Sequence, residues 1–260
     1  PEDVPQDSGI RTAFEYLKTT QSEWLAHIDA DEFINIGLGN GYVADLLECA
    51  GMGDVIALPW WAFGDSNHQS WPGDLLSKFT LAEAEPTPKR TKFKSMFRFR
   101  NFEHANDHMP SGPKVAEPEV RSANGALLSN EGLFGEKRAK YRPLDIAIAP
   151  HAACINHYAI PSRDGFLMKN DRGDGQGKVT DKYYLGSRWH EIANQNETPN
   201  YTINRHLAAT QAEMARLRAV PGVADAENQC IDWFHNRSAA ILTETQISAW
   251  SKPHARKTLT

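Results

Sequence analysis

Cysteine is scarce in this chain, and neither a long apolar run nor an excess of basic residues occurs. Its 260 residues include three cysteines, Cys49, Cys154 and Cys230, whose wide spacing fits neither a disulfide framework nor a paired-cysteine metal site. The longest apolar stretch, Val55 to Phe63, is far shorter than the ~20 residues of a membrane-spanning helix. Lys and Arg number 28 against 33 Asp and Glu. We therefore expect a cytoplasmic protein with no transmembrane segment and no nucleic-acid partner, and leave a membrane-peripheral location open.

The order of predicted elements is mixed α and β first and mainly helical afterwards. Ser8 has the features of an N-cap, and apolar residues at helical spacing predict a helix from Gly9 to Thr20. A second helix is predicted over Val43 to Cys49. Buried strands are predicted at Trp24–Ile28, Val55–Phe63, Phe93–Phe99, Leu144–Ala149 and Ala153–Tyr158. Later helices are predicted at Asp181–Ala193, Thr202–Val220 and Ala224–Trp233.

Three carboxylates, Asp29, Asp31 and Glu32, follow the predicted strand Trp24–Ile28 directly. Carboxylates this close repel one another unless a cation or hydrogen-bond donors compensate them. On a regular strand, Asp29 and Asp31 would emerge from the same face because they are two residues apart. That arrangement suits a hard divalent cation such as Mg²⁺ or Mn²⁺. The alternative is a solvated turn at the strand end, which the preceding apolar run disfavours.

His157, Lys169 and Arg172 form a second group of candidate site residues. His157 lies at the end of the predicted strand Ala153–Tyr158, where its neutral imidazole could bind the same cation. Lys169 and Arg172 lie three residues apart on one face of the next helix, which Ser162 can cap. Two cations there could neutralise a diphosphate leaving group. Taken alone, each feature is usually structural or solvated, and only their combination with the carboxylates indicates a site.

The predicted strand Phe93–Phe99 interleaves basic and aromatic residues. Such alternation occurs in nucleic-acid platforms, but it more often marks a strand with one apolar face on the core and one half-exposed face. The second interpretation is favoured here.

The loop after this strand concentrates ionisable groups in the run Glu103–His108. Among its carboxylates Asp107 is the best candidate for a catalytic base, and Asp74 in an earlier loop is a weaker one. His104 and His108 are four residues apart, but no glutamate stands between them as it does in zinc proteases. Zinc hydrolysis therefore fits poorly.

Four motifs resemble, in order, those of bacterial family 2-like glycosyltransferases. They are Trp24–Phe33 with its Asp-Ala-Asp-Glu-Phe, Ile56–Gly64, Lys92–Arg98, and Ile155–Ser162 with its Asn-His-Tyr, followed by Phe166, Lys169 and Arg172-Gly173. The resemblance covers residues 8 to about 173. It implies a GT-A-like α/β fold, whose mixed, mostly parallel sheet is flanked by helices and followed by a helical C-terminal region. The implied catalytic core is residues 1–175, and the helical region is residues 176–260.

The resemblance also implies an activity and its site. The activity is transfer of a sugar from a UDP- or GDP-sugar to a glycan or lipid-linked acceptor, normally with inversion and with Mn²⁺ or Mg²⁺. Carried over to this sequence, Asp31 would be the main metal ligand, Asp29 would face the metal or the donor ribose, and His157 would complete the ligands. Lys169 and Arg172 would lie near the diphosphate.

Members of this family begin with a β-α-β-α stretch that holds the nucleobase, and nothing like it precedes Pro1. A fragment is therefore expected, in which Trp24–Ile28 is a central strand with parallel neighbours on both sides. Two other functions stay open. One is a non-catalytic carbohydrate-binding or scaffold protein of the same fold, and the other is a metal-dependent phosphate-ester hydrolase that uses Asp29, Asp31 and His157.

Overall fold

The computed structural model describes residues 5–87, 91–135, 149–173 and 183–251, and the chain divides into two compact units. Of the described residues, the first unit contains 5–62, 83–87, 91–135 and 149–157. The second contains 63–82, 158–173 and 183–251. The predicted boundary between residues 175 and 176 lies outside the described residues, as does the predicted strand Leu144–Ala149 except for its last residue.

Within the described residues, the chain forms eleven strands and nine α-helices. The strands are β1 (Trp24–Ala26), β2 (Glu32–Ile36), β3 (Val55–Ala62), β4 (Leu81–Ala82), β5 (Phe93–Arg98), β6 (Phe102–Ala105), β7 (Pro110–Pro113), β8 (Val120–Ser122), β9 (Leu127–Leu128), β10 (Ala153–His157) and β11 (Thr198–Pro199). The helices are α1 (Pro5–Lys18), α2 (Val43–Ala50), α3 (Leu75–Lys78), α4 (Arg163–Leu167), α5 (Lys169–Arg172), α6 (Arg188–Ala193), α7 (Leu207–Arg218), α8 (Val223–Ile241) and α9 (Glu244–Trp250).

The first unit is built on a seven-stranded mixed sheet with β3 at its centre. Five strands follow the order β1-β5-β3-β10-β2, and β8 with β9 extends from β3. β5 runs antiparallel along one edge of β3. On the other edge, β8 pairs in parallel with residues 55–57 and β10 in parallel with residues 60–62. β10 also pairs antiparallel with β2, which places His157 opposite Glu32.

The structure confirms a mixed α/β fold whose sheet includes parallel strands, but two finer expectations do not hold. The sheet is not mostly parallel, because among the described pairings only those of β3 with β8 and with β10 are parallel. The predicted strand Trp24–Ile28 is not central either. It shortens to β1, which is half-buried and lies at the end of the strand order, antiparallel to β5. A run of apolar residues predicts that a strand is buried, but it does not predict whether the strands beside it run parallel or antiparallel.

Alternate residues of β3 lie on opposite faces of the sheet and belong to two separate cores. Val55 and Ala57 pack with α1 on one face, and Ile56 and Leu58 pack with α2 on the other. The helix residues buried in these cores are Ile10 and Phe14 of α1 and Leu46 and Ala50 of α2. Each face of the central strand is therefore covered by one helix.

The predicted helices Gly9–Thr20 and Val43–Cys49 correspond to α1 and α2, with shifted ends. α1 begins at Pro5, so Ser8 lies inside the helix and the prediction that it caps the helix is wrong. Its backbone oxygen accepts a hydrogen bond from Thr12 Oγ1 at 3.0 Å instead.

The second unit contains the short pair of β4 with β11 and the helices that follow β10. Ser162 caps α4 as predicted, because its Oγ accepts a hydrogen bond from the backbone N–H of Gly165 at 3.0 Å. Gly173 ends α5 with a φ of 82°, a conformation that glycine adopts without strain. The described part of residues 183–251 is mainly helical, as the sequence predicts.

Gly37 and Gly9 provide a paired test of local packing. A Cβ at Gly37 would collide with the backbone oxygen of His151, because the end of β2 lies against the segment that leads into β10. Gly37→Ala should lower the free energy of unfolding by about 1–3 kcal/mol. Gly9 has open space within α1, so Gly9→Ala should raise stability by about 0.5–1 kcal/mol. Urea unfolding of both variants measures the two effects, and a Gly37→Ala variant as stable as the wild type would refute the close approach.

Candidate functional site

Residues Asp29 to Glu32 form a tight turn between β1 and β2. The backbone N–H of Glu32 donates to the oxygen of Asp29 at 3.1 Å, and Glu32 Oε2 accepts from the N–H of Asp29 at 3.1 Å. The prediction that Asp29 and Asp31 share a strand face is therefore wrong, because strand alternation does not extend into a turn. The two side chains have different neighbours. Asp29 Oδ2 lies 3.2 Å from Lys94 Nζ, whereas Asp31 Oδ1 lies 3.9 Å from His157 Nε2.

His157 is the last residue of β10 and is buried. The antiparallel pairing of β10 with β2 places it opposite Glu32, next to the turn that carries Asp31. Its ring packs against the indole of Trp60, with 4.0 Å between the ring centroids. Register thus brings Asp31 and His157, two of the predicted metal ligands, to the same end of the sheet.

A divalent cation fits Asp31 and His157 better than it fits Asp29. Two ligands of one octahedral ion, each about 2.1 Å from it, stand about 3.0 Å apart in adjacent positions and about 4.2 Å apart in opposite ones. The separation of 3.9 Å between Asp31 Oδ1 and His157 Nε2 lies between these values, so the two side chains could both bind one ion after a small movement. Asp29 already faces the ammonium group of Lys94. Within the part of the chain that the structure describes, no group of three or more His, Cys, Asp and Glu side chains could hold a metal ion.

Lys94 is a buried cation whose side chain is 2% exposed. Its Nζ lies 3.2 Å from Asp29 Oδ2 and 3.3 Å from Glu32 Oε2, and it donates to the backbone oxygen of Asp107 at 2.8 Å. The sequence predicts a half-exposed face for this strand, and that expectation fails at Lys94. The reason is that Met96, two residues along the same face of β5, packs into the core beneath α2.

Glu32 is a buried carboxyl group in contact with this lysine. Burial raises the pKa of Glu32 from 4.5 to about 7, because the charged form loses its hydration; Lys94 opposes the rise and Asp29 adds to it. Its Oε1 is buried and has no hydrogen-bond partner among the described residues. The net charge of the cluster formed by Asp29, Glu32 and Lys94 therefore changes near neutral pH.

Asp107, the predicted base, lies beside the same cluster. Its backbone oxygen accepts the hydrogen bond from Lys94, and its Oδ2 lies 3.8 Å from Nε2 of His108. The His108 ring packs against Trp60 at 5.6 Å between centroids, and its Nδ1 is 2.6 Å from the backbone oxygen of Phe93. Trp60 therefore contacts both His108 and His157.

Lys169 and Arg172 belong to the second unit, where they begin and end α5. Lys169 Nζ donates to the backbone oxygen of Ala159 at 2.6 Å and lies 6.0 Å from the centroid of the Tyr183 ring. The neighbouring Asp171 pairs with Arg237 through two hydrogen bonds of 2.7 and 2.9 Å. A role of Lys169 and Arg172 at a diphosphate stays a prediction.

Sequence reasoning named the three carboxylates, His157 and His108 as candidates. It did not predict that Lys94 is buried against Asp29 and Glu32, or that His108 contacts the Phe93 oxygen. One signal was available, since three adjacent carboxylates require compensation and a basic strand follows later in the chain. That signal does not say which of the basic residues faces the carboxylates. The pairing register of β1 with β5, which sets Ala26 against Met96, decides the question in favour of Lys94.

The raised pKa of Glu32 predicts a pH-dependent stability in protein freed of metal by a chelator. Below pH 4.5 the carboxyl is protonated in both the folded and the unfolded protein. Between pH 4.5 and about 7 the unfolded protein loses this proton first, so the stabilising contribution of Glu32 falls with rising pH and is lost above about pH 7. Between pH 4.5 and about 7, the free energy of unfolding should therefore fall by about 3 kcal/mol more in the wild-type protein than in Glu32→Gln.

Urea unfolding at a series of pH values from 4 to 8 measures this difference. Glu48→Gln is the matched control, because Glu48 is exposed on α2 and its variant should follow the wild-type curve. Parallel curves for wild type and Glu32→Gln would contradict the raised pKa.

No protein-family model matches the chain, and no curated protein shows significant similarity to it. In the described residues, no helix combines the length and the apolar character needed to cross a membrane. The arrangement of the site residues is therefore the basis on which a function can be argued.

Proposed function

We propose that this chain is a metal-dependent glycosyltransferase that moves a sugar from a UDP- or GDP-sugar to a hydroxyl of a glycan or related acceptor. The observation that carries the proposal is the distance of 3.9 Å between Asp31 Oδ1 and His157 Nε2. These residues come from the Asp-x-Asp motif and the Asn-His-Tyr motif, which the resemblance to family 2-like enzymes assigns to one metal site. Two motifs far apart in the sequence thus supply neighbouring side chains, and this proximity supports the proposal.

Each candidate residue of the first unit has a separate role in the proposed sugar transfer. Asp31 and His157 would hold Mn²⁺ or Mg²⁺, which when bound supplies positive charge to the diphosphate of the leaving group. Asp29 is fixed by Lys94, yet its side chain is 40% exposed and can accept a hydrogen bond from the donor ribose. A base in the loop around Asp107 takes the proton of the acceptor hydroxyl.

Two features favour a transferase over the alternatives. A phosphate-ester hydrolase with a full set of protein ligands would need more donors than Asp31 and His157, and no such group occurs in the described residues. A scaffold protein would gain little from burying Lys94 between Asp29 and Glu32, because apolar replacements for buried ion pairs are often neutral or stabilising. Such a cluster is better explained by a binding site than by the stability of the fold.

Asp31→Asn tests the metal site. Wild-type protein should bind UDP or GDP only when Mn²⁺ or Mg²⁺ is present, which would raise its melting temperature; a ligand at 100 times its Kd adds about 2.7 kcal/mol to stability. Asp31→Asn should keep the wild-type melting temperature without ligand but lose this metal-dependent rise, because the amide is a poor metal ligand. Thermal-shift titrations with each nucleotide, with and without metal, measure both quantities.

Asp232→Asn is the matched control, since Asp232 is exposed on α8 in the other unit and should not affect nucleotide binding. Wild-type binding by Asp31→Asn would show that the metal assignment is wrong. If neither nucleotide stabilises the wild-type protein with either metal, the transferase proposal fails and the carbohydrate-binding scaffold becomes the better hypothesis.

A further inference from the structure

The loop that carries Asp107 and His108 is fixed by hydrogen bonds along its backbone. Asn106 Oδ1 accepts from the N–H groups of His108 and Met109 at 2.8 and 3.0 Å. Lys94 Nζ holds the backbone oxygen of Asp107 at 2.8 Å. These contacts set the positions of both side chains without engaging the Asp107 carboxylate or the Nε2 atom of His108.

The protonation of the His108 ring follows from its contact with β5. A backbone oxygen can only accept a hydrogen bond, so the distance of 2.6 Å from Nδ1 to the oxygen of Phe93 places the hydrogen on Nδ1. Burial lowers the pKa of His108 below its ordinary value of 6.5, and the charges of Lys94 and Lys92 act in the same direction. The Phe93 oxygen and Asp107 oppose this effect. At neutral pH the ring is therefore uncharged and Nε2 carries a lone pair.

Two hydrogen-bond acceptors consequently lie side by side. His108 Nε2 and Asp107 Oδ2 are 3.8 Å apart, which is beyond hydrogen-bond distance. Their side chains are 12% and 27% exposed, so both keep some contact with solvent. Two neighbouring acceptors, one neutral and one anionic, suit a donor such as an alcohol O–H.

This pair of acceptors lies next to the proposed metal ligands. The indole of Trp60 packs against both His157 and His108, with centroid distances of 4.0 and 5.6 Å. Lys94 links the turn that carries Asp29 to the backbone of Asp107. A hydroxyl at His108 would therefore be separated from the proposed metal ligand His157 by one indole ring.

We propose that His108 Nε2 is the atom that takes the proton from the acceptor hydroxyl, with Asp107 as its counterion; this step rests on the proposed transferase function. As the hydroxyl oxygen forms its bond to the anomeric carbon, its proton passes to Nε2. The bond from the anomeric carbon to the diphosphate oxygen breaks, and its electron pair leaves with the nucleoside diphosphate. The imidazolium that results faces the carboxylate of Asp107, which stabilises its charge.

Nuclear magnetic resonance tests the starting state of His108 directly. Long-range ¹H–¹⁵N spectra of wild-type protein, with the His108 signals assigned by their loss in His108→Gln, should show a proton on Nδ1, none on Nε2, and a titration midpoint below 6.5. Asp107→Asn should lower this midpoint further, because the carboxylate no longer favours the imidazolium. A neutral ring protonated on Nε2 would overturn the proposal.

Turnover tests the catalytic role of His108. The probe is UDP-glucose if UDP binds and GDP-mannose if GDP binds. The signal is release of the nucleoside diphosphate as the sugar is transferred to water or to added glucose. His108→Gln should lower kcat by about 100-fold or more and remove the acidic limb of the pH profile, while Mn²⁺-dependent nucleotide affinity stays within about threefold of wild type. His104→Gln is the matched control, since His104 is exposed on β6, the strand that leads into the loop of His108.

The possible outcomes separate this inference from the function on which it rests. Wild-type kcat in His108→Gln, with nucleotide binding intact, would overturn the inference and leave the transferase proposal standing. Loss of turnover in Asp107→Asn with little effect in His108→Gln would make Asp107 the base. Failure of the wild-type protein to bind either nucleotide would remove the proposed function, and this step with it.

Discussion

The ammonium group of Lys94 is the constraint on which the candidate site depends. It is buried, and it joins three parts of the first unit: Asp29 and Glu32 at the two ends of a turn, and the backbone of Asp107 in a distant loop. A buried charge is tolerated only when partners compensate it. The positions of the turn and the loop are therefore tied to one another through this residue.

This lysine also gives the neighbouring carboxylates different surroundings. Asp29 and Glu32 both lie within 3.3 Å of the ammonium group, so they compensate its charge within the protein. Asp31 belongs to the same turn, but its carboxylate lies near His157, with 3.9 Å between Oδ1 and Nε2. Three adjacent carboxylates thus have three different surroundings, and the raised pKa of Glu32 is the clearest sign of that difference.

Sequence alone predicted the elements far better than their arrangement. The helices α1 and α2 and the strands β3, β5 and β10 were predictable because periodic apolar residues report which side of an element is buried. The antiparallel direction of β1 and the burial of Lys94 were not predictable, since both depend on pairing between distant strands. The proximity of Asp31 to His157 was expected from their places at strand ends and from the resemblance to known motifs, whereas the tautomer of His108 required the position of the Phe93 oxygen.

The place of β2 at the end of the strand order has a consequence for how the protein folds. Among the described residues, β10 is the only strand that pairs with β2, although more than a hundred residues separate them in the chain. Closing so long a loop is slow and entropically costly. Until β10 has been synthesised and docked, β2 has an open edge on both sides, so a nascent or truncated chain that lacks β10 is exposed to edge-to-edge aggregation.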